Sequence, residues 1–250
     1  MDYGLYVAAS GADTQTRRME VLTNNLANVD TPGFKEELAI LQARHSRAVR
    51  DGVDVPGAGG LNDLGSGVSM AETQTDFTSG KLKQTGYKWD VAIRGDGFFL
   101  VEDGGRQLLT RAGNFHIGQD GVLLTQQGFN VLDADGGRVI INPTMFSKVH
   151  KDGWVEHSGC GQSLAIVEPQ SLKDLAREGE NTFRPLGPIS HVPPEQRNVQ
   201  PGFLELSGIE PTRAMMELIE TSRVYEANVR MIQSHDQMTG SLLSRVLAAR

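Results

Sequence analysis

Near the start of the chain, Leu5, Ala8, Ala12, Gln15, Met19, Leu22 and Leu26 recur in alternating steps of three and four, and six of the seven are apolar. This is a heptad seam, and it predicts a helix that seeks a coiled-coil-like partner. Thr31-Pro32-Gly33 ends it, because a residue before proline avoids the α region and glycine turns the chain. The same period returns at the other end. Met215, Leu218, Ser222, Tyr225, Val229, Ile232, Asp236, Thr239, Leu243 and Val246 again step by three and four, with seven of the ten apolar. Pro211 suits a first helical turn, where a missing N–H costs nothing. With no glycine until Gly240, one helix of about 35–40 residues is predicted, roughly 50–60 Å at 1.5 Å per residue.

Between these ends the period falls to two. Residues 89–142 hold short apolar runs punctuated by GDG, EDGG, QDG and DADGG. Asp-Gly between alternating residues predicts tight hairpins, since the turn needs positive φ. Residues 163–167 read as another strand and 171–177 as a helical turn. Residues 184–201, with Pro185, Pro188, Pro193, Pro194 and Pro201, read as a connector that no central strand could contain. The fold class is therefore α+β. N- and C-terminal helices pack as a coiled-coil-like pair (1–35 and 208–250), 36–75 form an extended arm or linker, and 76–207 make an antiparallel β-rich outer domain. The longer C-terminal helix leaves part of its seam uncovered, and self-association is the simplest cover.

Asn24, Asn25 and Asn28 sit beside that first seam, although asparagine is a poor helix former. Two readings stand: a solvated polar face, or a second contact surface whose amides set register. The interleaved Arg213, Glu217, Glu220, Arg223, Glu226 and Arg230 allow the same pair of readings. Met215, Met216, Met231 and Met238 read as adaptable packing residues, useful where neighbours present slightly different surfaces.

Several longer stretches carry a resemblance: GLYVAASG (4–11), RRMEVLTNNLANVDTPGFK (17–35), DVAIRGDGFFLV (90–101), LTRAGNFHIGQDGVLLTQQGFNVL (109–132) and PGFLELSG with ELIETSRVYEANVRMIQSHDQM (201–238). In content and order they resemble the bacterial flagellar rod and hook family. MDYGLY and TPGFKEELAILQA lean towards the proximal rod type, with a distal rod or hook-like subunit as the alternative. The resemblance implies paired terminal helices in an axial core and a β-rich domain facing outward. It implies a structural, torque-transmitting subunit of the basal-body rod, set in the periplasm. Its implied partners are other copies of itself, neighbouring rod and hook proteins, and the flagellar type III export apparatus, which carries it out without a cleaved signal peptide. The residues expected to carry assembly are Leu5, Met19, Leu22, Asn24, Asn25, Leu26 and Asn28, with Leu218, Tyr225, Val229, Ile232 and Leu243.

Composition adds exclusions. A net charge of −7 over 250 residues gives no global footprint for nucleic acid. Cys160 is the single cysteine, so no intrachain disulfide forms. Catalytic and metal readings are weak on local pattern. Cys160 with His150 and His157 matches no nucleophile or zinc template, DADGG lacks the later ligands of a calcium loop, and PGAGG (56–60) lacks the strand and Lys-Ser/Thr of a phosphate cradle. Asp90 and Asp96 could be imagined as a glycosidase pair, but Asp-Gly at a turn is explained by backbone geometry. No catalytic residue, cofactor, metal or small-molecule substrate is expected. The competing function is a secreted hydrolase or glycan-binding module using the β region, which leaves both heptads unexplained.

Overall fold

A computed structural model describes residues 3–44, 49, 51–52, 67–142, 146–157, 160–179 and 181–248. The stretch 56–60 lies outside the described residues, as do the side chains of Cys160 and Val246. The chain divides into two compact units. A helical unit comprises Met1–Ala27, Glu37–Asp76 and Glu210–Arg250, and a β unit comprises Asn28–Glu36 and Phe77–Ile209.

In the helical unit, α1 (Tyr3–Ala27) packs along α2 (Pro211–Ala248). The two approach closely at Gly11, where an added Cβ would lie 3.1 Å from the Asn228 amide. Ala8, Thr14, Val21, Leu22 and Asn25 are buried on α1, and Ala214 and Thr221 on α2. Every residue from Asp236 to Ser244 is exposed. Cover near the start of α2 and none near its end, with Gly11 meeting Asn228, makes the two helices antiparallel. The segment read as an extended arm supplies β1 (Glu37–Ala43) and β2 (Val68–Thr75), an antiparallel ladder with a register shift at Ile40/Leu41. The ladder is tied to α1 at both ends. The hydroxyls of Ser10 and Thr14 reach the Val68 carbonyl at 2.9 and 2.8 Å, and Asn25 holds Glu37.

The β unit runs through β3 (Leu82–Gln84), β4 (Val91–Ile93), β5 (Phe98–Asp103), β6 (Arg106–Thr110), β7 (His116–Ile117), β8 (Leu123–Leu124) and β9 (Asn130–Val131). It continues with β10 (Ser147–Val149), β11 (Trp154–His157), β12 (Cys160–Ser163), β13 (Ile166–Pro169), β14 (Leu175–Arg177), β15 (Thr182–Pro185), β16 (Ile189–His191), β17 (Val199–Pro201) and β18 (Phe203–Glu205). The main sheet has the order β14-β15-β6-β5-β9-β8-β7, with β13 joining β5 and β16. Strand alternation assigns its two faces. Phe99, Val101, Leu108 and Ile166 enter one apolar cluster, while Phe98, Leu100, Leu109 and Val167 enter the other. Strand β5 is thus packed on both sides, and its run FFLV is apolar throughout rather than alternating.

Turn chemistry explains part of the register. Gly104 and Gly105, both at positive φ, form the two-residue link between Asp103 and Arg106, the last pair of the β5–β6 hairpin. The GDG at 95–97 is different. Both its glycines have positive φ, but the strand before it, β4, pairs with β17; the turn moves the chain between sheets and closes no hairpin. The proline-rich connector also needs correction. Strand β15 lies between β14 and β6, and Pro185 is tolerated there because it is the last residue of the strand. Pro201 likewise ends β17, in a two-stranded ladder.

The sequence reading assigns residues 28–35 to the terminal helices, whereas in the structure they group with the β unit. The TPGFK segment is built into that unit. Gly33 has φ +69, and an added Cβ would sit 2.4 Å from the Arg111 carbonyl carbon, so only glycine fits. Its N–H donates to the Glu205 carbonyl at 2.7 Å, and Asn181 Nδ2 donates to the Pro32 carbonyl at 2.6 Å. Phe34 is 1% exposed and lies under the Arg177 guanidinium at 4.4 Å. Lys35, also buried, donates to Glu205 Oε1 at 2.7 Å and to the Thr78 carbonyl at 2.9 Å. Glu205 further accepts from Gly80 N at 2.8 Å and Arg111 Nη1 at 3.4 Å. Burial pushes the Arg111 guanidinium below its ordinary range, and Glu205 and Asp96 oppose that.

Candidate assembly surface

The sequence-predicted residues divide by environment. Leu22 is buried; Leu5, Met19 and Leu26 are half-buried. On α2, Leu218, Tyr225, Val229 and Ile232 are half-buried, on the same face as buried Ala214 and Thr221. Leu243 is 62% exposed, beyond the part of α2 that has cover. Helix α1 has 25 residues and α2 has 38, so α2 is longer by roughly 20 Å at 1.5 Å per residue.

The three asparagines have different surroundings. Asn25, 1% exposed, donates from Nδ2 to the Glu37 carbonyl at 2.8 Å and accepts the Glu37 N–H at 3.0 Å. Its amide acts as a one-residue strand partner, docking the start of β1 on α1. Asn28 is buried and accepts the Thr31 hydroxyl at 3.2 Å through Oδ1, shaping the turn into TPGFK. Asn24 is exposed. The Asn25 amide thus captures backbone groups, and the Asn28 amide a hydroxyl three residues on.

One feature was not identified from the sequence. On the side of α2 opposite the α1-facing seam run Met216, Arg223, Ala227, Met231, Ser234 and Met238, all exposed, with Ile219 and Val224 on its flanks. Met216 and Met231 are about two-thirds exposed. Shallow depressions along this face are lined by Met216, Ile219, Arg223 and Val224, and by Ala227, Arg230 and Met231. The helix therefore carries apolar side chains on a second, exposed side as well, interleaved there with Arg223 and Arg230. The signal was present as a second three-and-four series, displaced around the helix from the first.

The other candidate groups have local roles. The Asp133 carboxylate accepts the N–H groups of Asp135 and Gly137 at 3.1 and 2.7 Å, closing its own turn. His150 Nε2 lies 3.0 Å from Glu156 Oε2. Asp90 accepts the Thr85 hydroxyl at 2.5 Å, and Asp96 sits in the turn between β4 and β5. Among the described residues, no group of three or more His, Cys, Asp or Glu is placed to hold a metal ion.

Three sequence families match this chain in the order of its elements. They are described as flagella basal body rod protein (residues 5–35), flagellar hook protein FlgE/F/G D1 domain (92–157) and flagellar basal body rod FlgEFG protein C-terminal (200–245). Whole-length relatives agree. The chain is 31% identical to the flagellar basal-body rod protein FlgF of Caulobacter vibrioides, with 98% of each chain covered. It is 30% identical to the flagellar basal-body rod protein FlgG of Buchnera aphidicola subsp. Schizaphis graminum, over 95% of this chain and 97% of the relative. It is 29% identical to FlgG of Bacillus subtilis, over 96% and 97%. The chain belongs to the flagellar basal-body rod protein family, as a structural subunit of that rod.

Proposed function

We propose that this subunit builds its part of the rod by self-association through α1 and α2, with contacts that repeat along a tube rather than close on a dimer. Heterologous contacts of that kind generate open helical assemblies. The observation that carries the reading is the state of α2, which has an exposed methionine-bearing face along its length and no cover from residue 236 to 244. Contiguous exposed apolar surface of this sort marks a protein interface. Methionine suits it, because a flexible thioether side chain packs against neighbours that are not identically placed. Many such small contacts along long helices give stiffness, and so transmit torque.

Leu5, Met19, Leu22, Leu26, Leu218, Tyr225, Val229 and Ile232 then set the helix pair, while Asn24 and Leu243 stand at surfaces open to neighbours. Asn25 and Asn28 serve assembly by positioning β1 and the TPGFK turn. The remaining parts of the proposal are the proximal rod position, contact with neighbouring rod and hook proteins, passage through the flagellar type III export apparatus without a cleaved signal peptide, and a purely mechanical, non-catalytic role. The test is a chain lacking residues 236–250, expressed in a flagellated host deprived of its own copy. It should be produced and folded, by circular dichroism and sedimentation, yet leave the cells non-motile and without completed rods. Normal motility with the shortened chain overturns the reading.

A further inference from the structure

The outer faces of α1 and α2 each carry a row of three charges. On α1 it is Asp13, Arg17 and Glu20, spaced four then three; on α2, read backwards, it is Arg230, Glu226 and Arg223, also spaced four then three. The signs are opposite at every place. All six side chains are exposed. Among the described residues Arg17 forms an ion pair only with Asp13 (3.2 Å) and Arg230 only with Glu226 (3.6 Å), each along its own helix, and Glu20 and Arg223 form none.

We propose that these rows meet between copies: α1 of one subunit lies against the outer face of α2 of the next, antiparallel, with Glu20 opposite Arg223, Arg17 opposite Glu226 and Asp13 opposite Arg230. The inference rests on the self-association proposed above and specifies its contact. Three points select this arrangement. First, α1 and α2 run antiparallel within a subunit, so copies that all point the same way present α1 antiparallel to a neighbour's α2, as a polar rod requires. Second, the spacings coincide only in that direction; the parallel alignment puts the middle pair one residue out of step. Third, placing either row antiparallel against its own copy, centred, sets like charges opposite each other at the ends: Asp13 against Glu20, or Arg223 against Arg230. Complementary charges of this kind fix partner and register more than they add affinity. Apolar contacts accompany them, since in this register exposed Ala27 comes opposite Met216.

The test is a charge-reversal cycle in the full-length chain, read as the number of completed rods and the swimming of a host lacking its own copy. Glu20→Arg and Arg223→Glu should each reduce completed rods by about tenfold or more, the scale of a reversed interfacial pair. The double variant should recover most of the loss. Because both sites are exposed, the far-ultraviolet circular dichroism and melting of the free subunits should be unchanged. Arg17→Glu with Glu226→Arg forms an independent second cycle. Singles that assemble normally, or a double no better than the worse single, overturn this contact. If in that case removal of residues 236–250 still abolishes rods, assembly through the helices stands and only this register falls. If the shortened chain assembles, the underlying reading falls as well.

Discussion

Replacing Glu205 by alanine tests whether the TPGFK segment is fastened into the β unit by charge as well as shape. Glu205 is 2% exposed and takes hydrogen bonds from Lys35, Arg111 and Gly80. Removing its carboxylate takes the shared anion from two buried cations, while the Thr78 carbonyl stays on Lys35 and the Ile93 and Gly95 carbonyls stay on Arg111. Deleting one partner of a buried ion pair costs about 3–5 kcal/mol, because the remaining charge is desolvated without compensation. For a domain of this size that corresponds to a fall in Tm of roughly 8–15 °C. Lys35→Met should cost less, about 1–3 kcal/mol, since Glu205 keeps Arg111 and Gly80. The Lys35→Met/Glu205→Ala double variant should cost less than the two singles together by about 1 kcal/mol or more. Urea unfolding followed by tryptophan fluorescence reads this directly, because the two tryptophans, Trp89 and Trp154, both lie in the β unit. A Glu205→Ala variant that loses under about 1 kcal/mol would refute the reasoning.

The other perturbations address single positions. Gly33→Ala places a Cβ against the Arg111 backbone at a positive φ, and should destabilise the β unit by about 2–4 kcal/mol in the same urea experiment, strain and clash acting together. Asn25→Ala removes both hydrogen bonds to Glu37, and hydrogen exchange across Glu37–Ala43 should quicken by roughly ten- to a hundredfold while α2 keeps its protection. An unchanged exchange pattern would show that the strand needs no amide to hold it.

The local features were largely legible in the sequence. Pro211 marked the start of α2, and the three-and-four series marked its length. EDGG announced a hairpin, because two adjacent residues at positive φ call for glycine. What was missed depends on partners remote in the chain. The GDG turn has the same letters as a hairpin turn, and only the pairing of β4 with β17 makes it a crossing. Thr31-Pro32-Gly33 reads as a helix stop, which it is, but nothing near it in sequence shows that Lys35 will meet Glu205. Prolines demoted β15 on a rule about strand interiors, and the rule does not bind at a strand's last residue. The candidate assembly surface was half legible for a related reason. Two three-and-four series interleave on α2, and the methionines of the second belong to a face that only the burial of the first sets apart.

The union of Lys35 with Glu205 joins positions 170 residues apart. The neighbouring ladders β3–β18 and β4–β17 also bring the 199–205 region back to strands laid down much earlier. Such distant closures are slow, since loop entropy is lost before the contacts that repay it form. A nascent polypeptide that still lacks its last fifth therefore cannot lock the β unit, however much of the sheet has already been made. The clasp acts as a delay, keeping the molecule pliable until nearly all of it has arrived.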